Sequence, residues 1–278
     1  MMKVASGEAD EVFKNLSNNA FPNLLPKDWR GNAYFSANGT FLGIDLTGNS
    51  TSNNQIIIIN EPLPNGFYLD PKNKIINPNS MLTIYYEYLD VFLLRNKNKM
   101  GFDKIAERIF TRIGESVGVQ NGVTLGGDAP INVPAYTDPY GKVHVNEDLL
   151  EDFWKDYRNI NAARNLLYHE SLHQQMPREN YYDHAYIYLL QLQHESFPNS
   201  GTDYQVEQIK IFSMYVLRAA KEPGAYLEKV KQLFIDFNNN LVNLAFEIQY
   251  KLDVNDPYVI IYGERINYTD EEVQDLPM

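Results

Sequence analysis

Two histidines and a glutamate stand in a pattern that can bind and use a metal ion. His169, Glu170 and His173 form the motif His-Glu-Ser-Leu-His in a segment whose residues predict a helix. A four-residue spacing places both imidazoles on one helix face, about one turn apart, where they can bind the same ion. Glu170 then leans toward that ion and can accept a proton from a water molecule that the ion activates. The pattern predicts a Zn²⁺-dependent hydrolase with Glu170 as general base.

Chance accounts poorly for this motif. The chain has five histidines, and a random match is on the order of one per cent for such a composition. The competing interpretation is two ordinary helical histidines beside a surface glutamate. His144, in the predicted strand 143–146, is interpreted as structural.

A catalytic zinc ion usually has three protein ligands and a water molecule, so a third ligand must follow the motif. We favour His184, at the start of the next predicted helix, because imidazole is a common zinc ligand. Asp183 and Glu195 are the alternatives, and Asp183 is otherwise expected to cap that helix. Ten residues of helix span about 15 Å, so His194 is not expected to share an ion with His184.

Composition excludes several kinds of partner and site. The 278 residues contain 24 Lys and Arg against 36 Asp and Glu, a net charge of −12. Such a chain repels phosphate backbones and anionic lipid surfaces, so neither nucleic acid nor a membrane is expected as a partner. The absence of cysteine excludes thiolate ligands. No signal peptide is recognised. No transmembrane segment is recognised either, since the most apolar run, 81–94, is shorter than a membrane span and contains two acidic residues.

Turn residues and apolar periodicity predict the elements around the motif. A β-hairpin is expected over 33–46, turning at Asn38-Gly39. Two short strands are expected over 131–146, joined by the turn Asp138-Pro139-Tyr140-Gly141. The segment QIIIIN at 55–60 predicts another strand. A long loop is expected over 61–80, and a loop or tight hairpin over 119–128. The periodicity predicts helices at 9–17, 81–94, 102–116, 148–156, 161–175, from about 183, 203–220 and 224–250.

The motif and the helix after it resemble the zincin superfamily of metallopeptidases. The resemblance covers about 140–195 and implies a strand edge before the motif helix that binds extended substrate, here matched by 143–146. The sequence departs from the metzincin pattern. In that pattern a glycine stands three residues after the second histidine, and a third histidine stands six residues after it. Those positions hold Met176 and Glu179. The NExxSD signature of thermolysin-like enzymes is also absent.

Longer stretches resemble metallopeptidase-like modules of Rhs and other polymorphic toxins and related Bacteroidetes proteins. The stretches are YFSANGTFLGID at 34–45, LLYHESLHQQ at 166–175 and DHAYIYLLQLQHESF at 183–197. This resemblance implies a peptide or protein substrate and secretion as a toxin or effector.

These observations predict an α+β fold. We expect a mostly helical zincin-like domain over 67–278 with a small antiparallel sheet, preceded by a hairpin-containing segment over 1–66. The expected function is that of a zinc metallopeptidase with Glu170 as base and His169, His173 and His184 as ligands. The alternatives are a zinc amidase acting on peptidoglycan and a non-catalytic binding or structural protein. The sequence gives no indication of oligomeric state.

Overall fold

The computed structural model describes residues 32–44, 55–59, 68–69, 75–76, 86–126, 133–146, 158–176, 179–222, 224–240, 248–252, 258–261 and 264–266. The helices of this part are α1 (Leu89–Asn96), α2 (Phe102–Glu115), α3 (Ile160–His173), α4 (Tyr181–Gln193), α5 (Thr202–Lys221) and α6 (Leu227–Asn240). The strands are β1 (Ala33–Ser36), β2 (Phe41–Ile44), β3 (Ile56–Ile59), β4 (Tyr68–Leu69), β5 (Ile75–Ile76), β6 (Tyr86–Tyr88), β7 (Val123–Leu125), β8 (Ala135–Thr137), β9 (Val143–Val145), β10 (Ile248–Lys251), β11 (Tyr258–Ile261) and β12 (Glu264–Ile266). The predicted α+β class is confirmed.

The first sheet is built on the predicted hairpin. β1 and β2 pair antiparallel around a turn in which Gly39 has a φ of 82°. β3 pairs with the other side of β1 and runs parallel to it, and β6 pairs antiparallel with β3. A tight turn forces antiparallel pairing only on the strands it joins, whereas the longer connection before β3 permits the parallel direction.

The second sheet lies before the motif helix and has the order β7-β9-β8. β8 and β9 are antiparallel and are joined by a turn in which the Asp138 carboxylate accepts from the backbone N–H groups of Tyr140 and Lys142. β7 is parallel to β9. The small sheet that was expected to be antiparallel is therefore mixed here, while the expected turn is present.

Two hydrophobic clusters enclose the motif helix α3. One combines β1–β3, α1, α2 and the β7-β9-β8 sheet with Leu167 of α3, and includes residues on both sides of position 66. The other combines α4, α5, α6 and strands β10 and β11 with Ala162 of α3. Apolar burial on two sides holds α3 firmly, which any site on it requires. The division of the chain at residue 66 stays a prediction.

Several predicted elements differ from the observed ones. Strand β6 occupies part of the helix expected over 81–94, and β4 and β5 form a small hairpin inside the expected loop. Helix α6 ends at Asn240, and residues 248–250, the end of the helix expected over 224–250, lie in strand β10 of an antiparallel β10-β11-β12 sheet. The expected elements at 9–17 and 148–156 lie outside the described residues.

Candidate metal centre

The motif helix begins at a well-formed cap. Asn159 precedes α3, and its side-chain oxygen accepts from the backbone N–H groups of Asn161 and Ala162. This satisfies donors that the first turn of a helix leaves without partners. The cap fixes where α3 begins.

Helices α3 and α4 bring three imidazoles together. The Nε2 atom of His169 lies 2.9 Å from that of His173 and 3.4 Å from that of His184. One ligand atom from each ring lies within 4.8 Å of the others. Separations of about 3–4 Å are those of nitrogen ligands arranged tetrahedrally around one ion. These are the three residues that the sequence predicts as metal ligands.

The three histidines are buried to different degrees and pack against aromatic rings. His169 and His184 are 5% and 6% exposed, whereas His173 is only half-buried. The ring of Tyr188 packs 4.3 Å from that of His169, and the ring of Tyr215 packs 4.2 Å from that of His184. These aromatic contacts limit rotation of two of the imidazoles.

Both tyrosines keep their protons at neutral pH. Burial raises the pKa of the Tyr188 phenol well above its usual value, and the neighbouring Tyr215 and Glu170 raise it further. The pKa of Tyr215 is raised by the same main cause. Each phenol is therefore a neutral hydrogen-bond donor beside the histidines.

Glu170 is buried beside the cluster and bonded to a neighbouring strand. It is 3% exposed, and its Oε2 atom accepts from the Thr137 hydroxyl at 2.8 Å. The same hydroxyl lies 3.0 Å from the backbone carbonyl oxygen of Glu170. Because Thr137 ends β8, the strand and the motif helix together set the direction of this carboxylate.

The alternative ligands lie elsewhere. Asp183 is in the first turn of α4, but the prediction that it caps this helix is wrong: the Asn180 side chain accepts from the backbone N–H of Asp183 at 2.9 Å. Glu195 accepts from the guanidinium of Arg164 at 2.9 Å. Among the described residues, neither carboxylate joins a group able to hold a metal ion.

The two remaining histidines have other contacts. His194 stacks on Tyr168 with ring centroids 4.0 Å apart, and its Nδ1 lies 2.7 Å from Oγ of Ser196. Burial, with a smaller effect of Arg164, lowers the pKa of His194 to about 4. The imidazole is consequently neutral in the folded protein across most of the physiological range.

His144 ties its sheet to the adjoining turn. Its Nε2 lies 3.1 Å from Oδ2 of Asp138, its Nδ1 lies 2.9 Å from Oγ1 of Thr124, and its ring stacks on Tyr136. Hydrogen bonds to the turn and the central strand lower the pKa of Asp138, Lys142 making the largest contribution. These contacts agree with the structural interpretation of His144.

The strand assigned to substrate binding needs correction. The predicted edge strand, 143–146, lies in β9, which is flanked by β7 on one side and β8 on the other. A central strand has no unpaired backbone groups for another chain. The strand of this sheet that packs on α3 is β8.

Two residues at the site, Thr137 and Gln191, are not among the residues predicted from the sequence. Thr137 lies 33 residues before Glu170, so no local spacing links them. Gln191, whose Oε1 lies 2.8 Å from Nδ1 of His169, follows His184 by seven residues. That spacing indicates the same helix face and could have identified it.

The donor set is suited to a transition metal ion. Three imidazoles are the protein ligands of a typical catalytic zinc site, and imidazole also binds copper, iron and nickel.

No helix in the described part of the chain has the length and apolar character needed to cross a bilayer.

Comparison with known proteins agrees with this geometry. The family described as metallopeptidase toxin 2 matches residues 33–245, a range that contains the three histidines, Glu170 and Thr137. No curated protein and no solved structure matches the chain. The family match covers most of the chain, and its description is that of metal-dependent peptidases acting as toxins. The chain belongs to the metallopeptidase toxin 2 family.

Proposed function

We propose that this protein is a zinc-dependent peptidase with His169, His173 and His184 as metal ligands and Glu170 as general base. The observation that carries the proposal is the convergence of three Nε2 atoms from two helices beside the buried Glu170 of the motif helix. A carboxylate beside three histidines has a clear use in hydrolysis. A protein that only binds a metal does not need it.

Each residue then has a distinct task. The three imidazoles hold the ion, which when bound supplies Lewis-acid chemistry to a water molecule and to the substrate carbonyl. Glu170 accepts the proton of the attacking water and returns it to the departing amine. The Thr137 hydroxyl, 2.8 Å from Oε2 of Glu170, holds the carboxylate in one orientation.

The family match supports a peptide substrate. The matching family is described as metallopeptidase toxin 2, and a peptide bond presents the carbonyl group that a metal-activated water molecule attacks. Strand β8 lies beside the base, since its last residue, Thr137, contacts Glu170. We infer a peptide or protein substrate.

Metal analysis combined with a hydrolysis assay tests the proposal. Purified wild-type protein, supplied with zinc and then desalted, should retain about one zinc ion per chain and cleave labelled casein. His169→Ala and His173→Ala should lose the metal. His144→Gln is the matched control, since it removes a histidine outside the cluster and should retain both metal and activity.

Glu170→Gln separates metal binding from chemistry. Glutamine cannot accept the proton of water, so this variant should keep zinc while hydrolysis falls by about 10²- to 10⁴-fold. Turnover equal to that of wild type would refute the base assignment. A wild-type protein that takes up no metal would refute the whole proposal.

The two remaining functional alternatives give different results in the same preparation. A zinc amidase would cleave purified peptidoglycan and leave casein intact. A non-catalytic protein would bind zinc and cleave neither.

We also infer that the peptidase activity is toxic to a target cell, as the family description implies. Expression of the wild-type chain in a test bacterium should then inhibit growth, and the Glu170→Gln chain should not. Equal inhibition by both chains would disconnect toxicity from hydrolysis.

A further inference from the structure

A buried side-chain amide stands behind the metal centre. Gln191 of α4 is 0% exposed, and its two amide atoms have partners on helices α3 and α5. The Nε2 atom lies 3.1 Å from Oδ1 of Asn165, 3.2 Å from Oε1 of Gln208 and 3.3 Å from the Tyr204 hydroxyl. The Oε1 atom lies 2.8 Å from Nδ1 of His169.

The orientation of this amide follows from a backbone carbonyl. Nδ2 of Asn165 lies 2.9 Å from the backbone carbonyl oxygen of Gln191, which can only accept a hydrogen bond. Asn165 must therefore direct its NH₂ group toward the backbone and its Oδ1 toward the Gln191 side chain. The Tyr204 hydroxyl, 3.2 Å from the same Oδ1, donates to it as well.

The same reasoning extends to the histidine. Because Oδ1 of Asn165 accepts, Gln191 must present its NH₂ group to Asn165 and its Oε1 to His169. An amide oxygen can only accept, so Nδ1 of His169 must carry a proton. In the neutral ring the lone pair then lies on Nε2, the atom that faces Nε2 of His173 and of His184.

We propose that Gln191 is a positioning residue that holds His169 in the tautomer with the proton on Nδ1, so that Nε2 is ready to bind the metal ion. The role rests on the proposed function. Metal-binding histidines commonly donate to a carboxylate or a carbonyl, whereas Gln191 uses a neutral side-chain amide that does not titrate. The hydrogen-bonded chain from the Gln191 backbone through Asn165 makes this orientation independent of pH.

Nuclear magnetic resonance of the metal-free wild-type protein tests the tautomer directly. ¹⁵N-labelled histidine in a mildly alkaline buffer distinguishes a protonated from an unprotonated ring nitrogen. The chain has only five histidines, so single His→Gln variants can assign the signals. His169 should show a protonated Nδ1 and an unprotonated Nε2, and the opposite pattern would overturn the proposal.

A pair of variants separates positioning from packing. Gln191→Met removes the acceptor for His169, while Gln208→Met removes another partner of the same amide and leaves that acceptor in place. We expect both variants to lose stability. Only Gln191→Met should mix the tautomers of His169 and weaken zinc binding, by about tenfold to a hundredfold in competition with a chelator.

The outcomes remain distinct from those of the proposed function. Equal zinc affinity in Gln191→Met and Gln208→Met, with an unchanged His169 tautomer, would show that Gln191 serves packing alone. If Gln191→Met does not fold, the tautomer of His169 measured in the wild-type protein still tests the proposal. A wild-type protein that shows the expected tautomer but binds no zinc would refute the proposed function and leave the orientation of His169 intact.

Discussion

At the scale of single residues, the contact between Thr137 and Glu170 joins a strand to the motif helix. The hydroxyl is buried with its residue at 2% exposure, so it does not exchange its partner easily for water. A hydrogen bond to a charged group contributes about 1.5–3 kcal/mol. The direction of the Glu170 carboxylate thus depends on a residue from another element.

Replacing Thr137 tests this dependence. Thr137→Val keeps the shape of the side chain and removes the hydroxyl, so kcat should fall by about tenfold to a hundredfold with zinc content unchanged. Thr137→Ser retains the hydroxyl and should keep most of the activity. If the valine variant turns over at the wild-type rate, the carboxylate is oriented by other contacts.

At the scale of elements, the site arises from facing helices with matching residue spacings. Asn165, His169 and His173 follow one another at intervals of four residues on α3. His184, Tyr188 and Gln191 lie at intervals of four and three on α4. Asn165 meets Gln191, and His173 approaches His184, so the two helices run in opposite directions. Helical periodicity accordingly aligns one polar stripe with the other.

The β1–β2 hairpin shows how closely elements are packed away from the site. Gly39 has a φ of 82°, and a Cβ atom there would lie 2.8 Å from the backbone carbonyl oxygen of Ile105 in α2. The Asn38 carbonyl accepts from Arg108 of the same helix. The turn therefore needs glycine for two separate reasons, backbone conformation and space.

Two glycine substitutions can separate these reasons. Gly101 has a φ of 81°, but a Cβ atom there would meet no neighbour within 4 Å in the described part of the chain. Gly101→Ala should therefore cost only about 1–2 kcal/mol. Gly39→Ala should cost more, by about 1–3 kcal/mol, because the helix must also move. Urea unfolding of both variants measures the difference. Equal losses in the free energy of unfolding would show that the hairpin accommodates the added methyl group without strain.

At the scale of the whole molecule, stability depends on a histidine that burial keeps neutral in the folded state. Burial lowers the pKa of His194 to about 4 from the usual value of 6.5. The unfolded chain then binds more protons than the folded protein between these two values. The free energy of unfolding should consequently fall as the pH is lowered through this window, with no further loss from His194 below it.

This contribution can be measured in the metal-free protein. The shift corresponds to a loss on the order of 3 kcal/mol between neutral pH and pH 4. His194→Gln cannot titrate, so its stability should change less over the same range in urea unfolding with a chelator present. Parallel curves for variant and wild type would contradict the prediction. Asp138, whose pKa is lowered, affects the free energy of unfolding at more acidic pH. Its stabilising contribution is lost only as the pH falls below the usual pKa of 3.8.

The sequence by itself determined what depends on local spacing. The four-residue interval between His169 and His173, the hairpin turn at Asn38-Gly39 and most helix positions follow from periodicity and turn chemistry over a few residues. The position of His184 beside the motif histidines could also be predicted from the sequence, because a short connection returns the chain beside the helix it has just left. The class of the fold and the metal-binding character of the site were thus accessible from sequence.

Only the tertiary structure decided what depends on contacts between distant segments. Three features depend on neighbours remote in sequence: which strand packs on α3, the parallel pairing of β1 with β3, and the strand β10 inside an apparently helical pattern. No local pattern specifies the partner of Thr137. The spacing of Gln191 from His184 indicates its helix face but does not specify its contact with His169. Hydrogen bonds and strand pairing select partners by position in space, whereas spacing in the sequence reports only which face of one element a residue occupies.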